Sequence, residues 1–78
     1  MKKDISPEHQ QILLVIGKKV KEFRIKRKIS YEKVAEEIGI ARNTYNLLEQ
    51  GKVSFQFHTI LQVLKYYDIS LSEFFKDI

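Results

Sequence analysis

Arg42, Asn43, Asn46 and Leu47 stand close together at helical spacing, and their side chains suit recognition of a surface rather than bond-making. They lie within YEKVAEEIGIARNTYNLLEQ, residues 31–50, which reads as two short helices joined by a tight turn at Gly39. Val34, Ala35, Ile38, Gly39, Ile40, Tyr45 and Leu48 form the expected inward set, which leaves the first four pointing outward. Ala35 is small enough to let the second helix approach the first. Gly39 can take a positive φ at almost no steric cost, so the chain can turn sharply there. Two helices joined in this way make a helix-turn-helix, and the second helix is of the kind that lies in a DNA major groove.

Little else in the chain suggests chemistry. It has no cysteine nucleophile, no glycine-rich phosphate loop and no spacing of metal ligands. His9 and His58 are far apart in sequence, and each reads as an exposed or half-packed side chain. Glu32, Glu36 and Glu37 fall on an ordinary helix face. Glu36 and Glu37 are neighbours in sequence and so point in different directions, which makes them no acid–base pair. No cofactor, metal or small-molecule ligand is expected, and the chain does not read as an enzyme.

Seventy-eight residues suit one small domain over 1–78, with residues 1–6 as a flexible N-terminus. Such a chain buries about 60% of its unfolded surface. The hydrophobic content of 44% is too high for a disordered chain. The longest apolar run, Ile12 to Ile16, is far short of the roughly 18 residues needed to span a bilayer. With no signal-peptide cleavage pattern behind it, the expected location is cytoplasmic. The net charge is +4, a weak pointer to nucleic acid. Lys18, Lys19, Lys21, Arg24, Lys26, Arg27 and Lys28 crowd one stretch with Glu22 among them. Part of that run could lie along a phosphate backbone, although any single lysine in it is better read as solvated.

The elements around the motif all read as helices. Ser6 can cap a first helix, Pro7 suits its first position, and Glu8 complements its positive end. That helix is expected to run to about Lys28, with Ile12, Ile16, Val20 and Phe23 facing the core and Leu14 and Ile25 on the far side. Ser30 caps a second helix from about Tyr31 to Ile38, with Ile29 and Val34 as a hydrophobic staple. A third runs from about Arg42 to Gln50 and stops at Gly51, with Ala41 as a poor cap. After a loop, Gly51 to Phe55, comes a fourth helix near Gln56 to Tyr67, its apolar face Ile60, Leu61, Val63, Leu64 and Tyr67. Asp68 takes the next turn, and Ser70 caps a last helix from Leu71 to about Lys76, with Phe74 or Phe75 inward. The sum is an all-α domain of five helices with an extended first helix.

From about Ile16 to Phe75 the chain resembles the phage repressor and Cro type of helix-turn-helix domain, the xenobiotic response element family. The resemblance is carried by IGKKVKEFRIKRKIS, then YEKVAEEIGIARNTYNLLEQGK, then YYDISLSEFF. It implies a DNA-binding set of Tyr31, Arg42, Asn43, Thr44, Asn46, Leu47 and Lys52. Arg42 would bridge the O6 and N7 acceptors of guanine, Asn43 or Asn46 would pair with adenine, and Leu47 would pack on a thymine methyl. Lys52 and the backbone N–H groups at the start of the second helix would meet phosphates. Arg24 and Glu49 match an ion pair that ties the first helix to the end of the recognition helix.

Departures from the family pattern are also visible. Tyr31 replaces a phosphate-contacting Gln, Tyr45 a smaller aliphatic residue, Phe55 a common Pro, and Asp68 a Gly. The resemblance implies a sequence-specific regulator, a repressor, bound to double-stranded DNA. A single domain reads only a short half-site, so a homodimer is expected. Leu14, Ile25, Phe75 and Ile78 are the candidate pairing surface. With no room for a ligand-sensing domain, control is expected from concentration, a protein partner or turnover. The alternative is a protein-interaction module that kept this fold and lost DNA reading, to which Tyr31, Ala41 and Leu47 lend a less polar groove-facing surface. RNA binding lacks an exposed aromatic platform.

Overall fold

A computed structural model describes residues 6–52, 56–76 and 78. The described residues form five α-helices and no strand: α1 (Pro7–Lys26), α2 (Tyr31–Ile38), α3 (Arg42–Gln50), α4 (Phe57–Tyr67) and α5 (Leu71–Phe75). Val53, Ser54 and Phe55 lie outside the described residues, and with them the expected loop departure at Phe55. Residues 1–5 also lie outside.

Local chemistry sets the helix ends. Ser6, Ser30 and Ser70 each accept a hydrogen bond from the backbone N–H three residues on, at 3.2, 3.2 and 3.1 Å. Each bond satisfies one of the N–H groups that a helix start leaves without a partner. Ala41 and Gln56 begin α3 and α4 without such a bond. Gly39 closes α2 at φ 91° and donates its N–H to Ala35 O at 2.9 Å. A Cβ placed on Gly39 would meet nothing within 4 Å, so glycine is needed there for its backbone angle and not for space. Gly39 is in fact exposed, outside the inward set in which the sequence places it. Asp68 turns the chain after α4 at φ 60°, a left-handed angle that Asp tolerates better than most residues.

α1 ends two residues earlier than its periodicity suggests. Lys28 adopts φ 54°, which no helix can continue through. The face of α1 is also rotated from expectation. Ile16, Gly17 and Val20 are its buried residues, while Ile12 is 43% exposed. At 100° per residue, Gly17 and Val20 lie well around the helix from Ile12. A close contact at Gly17, described below, turns that side toward α3.

The core joins Ile16 and Val20 of α1, Val34 and Ala35 of α2, Tyr45 and Leu48 of α3, Ile60, Val63, Leu64 and Tyr67 of α4, and Phe74 of α5. Phe74 is the inward aromatic of the last pair, and Phe75 is half-buried with its ring edge-on to it. Leu61 is 41% exposed, because it sits about 100° around α4 from Ile60, at the border of the buried stripe.

Much of the basic run on α1 serves the architecture. Arg27 donates to the carbonyls of Tyr66 and Tyr67 at 3.3 and 3.0 Å, and its guanidinium lies 5.3 Å from the Tyr67 ring centre. Lys19 donates to the carbonyl of Phe74. These carbonyls end α4 and α5, where the helix supplies no N–H partner and the dipole favours a cation. Lys18, Lys21, Lys26 and Lys28 are exposed.

A surface bond ties α2 to α4. Tyr66 Oη donates to Glu37 Oε1 at 2.6 Å, and Lys33 Nζ lies 3.6 Å from Glu37 Oε2. The Tyr66 bond, aided by Lys33, holds the Glu37 carboxyl below its ordinary range. The same bond, with some desolvation, pushes the Tyr66 hydroxyl up to about 12. Glu37 has the lowered value, so its contribution is present above the ordinary carboxylate pKa and is lost as pH falls. Tyr66 has the raised value, so its contribution is full below its ordinary value of 10.0 and is lost as pH rises toward about 12. In a tyrosinate absorbance titration, Glu37→Gln should bring one tyrosine back toward 10.0. An unmoved titration curve would show that the bond does not form in solution.

Candidate nucleic-acid interface

α3 divides cleanly by side. Tyr45, Leu48 and Glu49 are buried, Arg42, Asn43 and Thr44 are exposed, and Asn46 and Leu47 are half-buried at the border. The helix therefore leaves Arg42, Asn43, Thr44, Asn46 and Leu47 outside the core over about one and a half turns. Lys52 follows just past the helix end, exposed, with its backbone N–H donating to Leu47 O at 3.2 Å. Tyr31 opens α2, half-buried, with its ring packed against the core. Its backbone N–H is among those a helix start leaves free of helical partners.

Three separate contacts hold the inner side of α3. The first is made by backbone against backbone. A Cβ on Gly17 would stand 2.5 Å from Glu49 O and 2.6 Å from Leu48 O. One on Gly51 would stand 2.7 Å from Leu14 Cα and 2.9 Å from Leu13 O. α1 and the end of α3 thus touch at two points, where a glycine of one segment meets the backbone of the other.

The second contact is ionic. Arg24 Nε donates to Glu49 Oε2 at 2.7 Å and Nη2 to Glu49 Oε1 at 3.0 Å. The third guanidinium nitrogen donates to Ile29 O at 3.0 Å, in the turn before α2. The Glu49 side chain is only 4% exposed, so this fork is what makes its burial tolerable. The bond to Glu49 is also the main reason the Arg24 pKa rises further.

The third contact joins two tyrosines. The hydroxyls of Tyr45 and Tyr67 meet at 2.6 Å inside the core. Burial raises the pKa of both, and for Tyr45 the Tyr67 hydroxyl and the nearby Glu49 carboxylate add to it. No buried side-chain nitrogen or oxygen among the described residues lacks a partner. Tyr45 is the residue the sequence marks as an oversized substitution, and the tyrosine on α4 is what accommodates its polar end.

Gly17, Gly51 and the Tyr67 hydroxyl all support α3, and the sequence pattern does not single them out for that role. Gly17 does leave a trace in sequence, since a glycine inside a helix costs about 1 kcal/mol against alanine and often marks a close approach. Tyr67 leaves none, because its partner is 22 residues away.

Of the candidate pairing residues, Leu14, Ile25 and Ile78 are 50%, 55% and 42% exposed, while Phe75 is half-buried. Phe57 at the start of α4 is also exposed. His9 and His58 are exposed, and no group of three or more potential metal ligands occurs among the described residues. No described helix is long and apolar enough to cross a membrane.

Residues 20–74 match a family described as helix-turn-helix. The chain is 30% identical over 63 residues to the cryptic phage CTXphi transcriptional repressor RstR of Vibrio cholerae, covering 81% of this chain and 57% of that protein. It is 38% identical over 64 residues to the HTH-type transcriptional regulator PuuR of Escherichia coli K12, covering 82% of this chain and 35% of that protein. The protein of the same name in Shigella flexneri gives the same figures. The chain thus spans about half or less of the length of these relatives.

Proposed function

The chain belongs to the helix-turn-helix family of the phage repressor and Cro type, and from that premise we propose that it is a sequence-specific DNA-binding regulator of transcription, acting as a repressor. The observation that carries this reading is the two-sided α3. Its inner side is fixed to α1 and α4 by directional bonds, and its outer side offers Arg42, Asn43, Thr44, Asn46 and Leu47. In a major groove the Arg42 fork matches guanine O6 and N7, and an asparagine amide matches adenine N6 and N7. Leu47 supplies an apolar contact for a thymine methyl. Lys52, Tyr31 and the N–H groups opening α2 would meet phosphates and set the register.

One such helix reads only a few base pairs. Two copies related by a two-fold axis would read two half-sites one helical turn apart. The exposed Leu14 and Ile25 support pairing through α1. Sedimentation with and without duplex DNA tests this, and a monomer under both conditions at high micromolar concentration would refute it. A cytoplasmic location belongs to the same reading.

Salt tests the phosphate half of the reading. Each phosphate neutralised contributes a slope of about −0.9 to log K against log salt. Duplex affinity should therefore fall steeply as salt rises. Lys52→Ala should weaken binding evenly across sequences and make the slope shallower by about 1. A salt-independent affinity would instead favour a protein-interaction module.

A further inference from the structure

Tyr45 and Glu49 lie four residues apart on α3 and share its buried side. Each is held by a directional bond from a different helix. Arg24 of α1 grips the Glu49 carboxylate, and Tyr67 of α4 meets the Tyr45 hydroxyl. The apolar contact at Leu48 limits distance but tolerates rotation, whereas a hydrogen bond weakens steeply as its angle departs from straight. Two anchors about 6 Å apart along the axis constrain the rotation of α3 as well as its tilt.

Rotation matters most on the outer side. A turn of about 20° carries a side-chain tip at the helix surface through about 2 Å. That exceeds the tolerance of a hydrogen bond to a base edge. We infer that the Tyr45–Tyr67 hydroxyl pair is a specificity-setting device: it fixes the rotational register of α3 and so decides which base edges Arg42, Asn43 and Asn46 can reach. Neither tyrosine touches DNA, and both act as positioning residues. The inference rests on the DNA-reading function proposed above.

The test uses the full chain and the double variant Tyr45→Phe/Tyr67→Phe. Removing both hydroxyls keeps the aromatic shapes and leaves no buried hydroxyl without a partner, so the fold should survive. Wild type and variant are compared by thermal melting, by residual dipolar couplings of the α3 amides relative to α1 and α4, and by selection from a randomised duplex pool. The affinity for the selected duplex is then set against that for a scrambled one.

The expected result is a melting temperature within about 5 °C of wild type and displaced α3 couplings. The selected-to-scrambled affinity ratio should fall about tenfold, the scale of one mismatched base pair, with scrambled binding unchanged. An unchanged ratio overturns the inference, whatever the couplings do. Should the wild type select no motif, the DNA-reading function fails, and the couplings still decide whether the hydroxyl pair orients α3. Tyr45→Phe/Tyr67→Met, which also leaves no buried hydroxyl without a partner, carries the same measurements if the first double variant does not fold.

Discussion

Arg24→Met lowers the stability of the fold by about 3 kcal/mol at neutral pH, near the lower end for stranding a buried charge. The reason lies in what remains. Glu49 is 4% exposed, and Arg24 supplies both of the bonds that reach its two carboxylate oxygens from another helix. The Arg24 side chain itself is 16% exposed, so water softens the loss and the lower end of the range applies. Methionine keeps the apolar stem and removes the fork. It also frees Ile29 O, which Arg24 bonds in the turn before α2.

The counterpart Arg24→Met/Glu49→Met should recover much of that stability, since replacing both members of a buried pair by apolar residues is often neutral. Urea unfolding of the two single variants and the double one gives the coupling directly. A cost below about 1 kcal/mol for Arg24→Met would place the pair with ordinary surface ion pairs and remove it as a brace of α3. Because the change in Arg24 is upward from a value already far above neutral, Arg24 itself gives no pH dependence in the physiological range.

Gly17→Ala destabilises by about 2 kcal/mol, although alanine is the better helix former. At an exposed helical position the exchange would be favourable by about 1 kcal/mol. At Gly17 the added methyl would sit 2.5 Å from Glu49 O and 2.6 Å from Leu48 O. Both are backbone atoms of another helix and cannot swing aside. α1 must retreat from α3 by roughly an ångström before the contact is ordinary, and overpacking of this kind costs about 1–3 kcal/mol or more. The retreat would also stretch the Arg24–Glu49 fork, so the two effects should not simply add. Chemical denaturation measures the change. A stabilised Gly17→Ala protein would mean that α1 and α3 do not touch as described.

How far the sequence reveals this structure depends on the range of the interaction. The serines at 6, 30 and 70 act on N–H groups three residues away, so their capping is visible in sequence. Gly39 and the small Ala35 announce the turn of the helix-turn-helix for the same reason. The two sides of α3 follow from its own periodicity. What periodicity cannot give is the rotation of α1. Ile12 looks as suitable for the core as Ile16, and only the approach of α3 at Gly17 decides between them.

The basic run on α1 shows a similar limit. Composition marks seven cations in one stretch, but not that Lys19 and Arg27 end on the carbonyls closing α5 and α4. Those partners lie 55 and 40 residues away. The Tyr45 substitution is conspicuous in sequence as a bulky residue, yet its meaning depends on a second tyrosine arriving from α4. The supports of the site are tertiary, while the outward residues they aim are local.

The most direct measurement is selection from a randomised duplex pool by the purified protein at near-physiological salt, with Arg42→Ala/Asn46→Ala run beside it. Arg42 is exposed and Asn46 half-buried, and neither takes part in the Arg24–Glu49 fork or the tyrosine pair, so the variant should keep its fold. The expected result is a two-fold symmetric motif enriched by wild type and lost in the variant, while weak, salt-sensitive binding to any duplex persists in both. Equal enrichment by the two proteins, or none by wild type, would contradict a groove-reading α3.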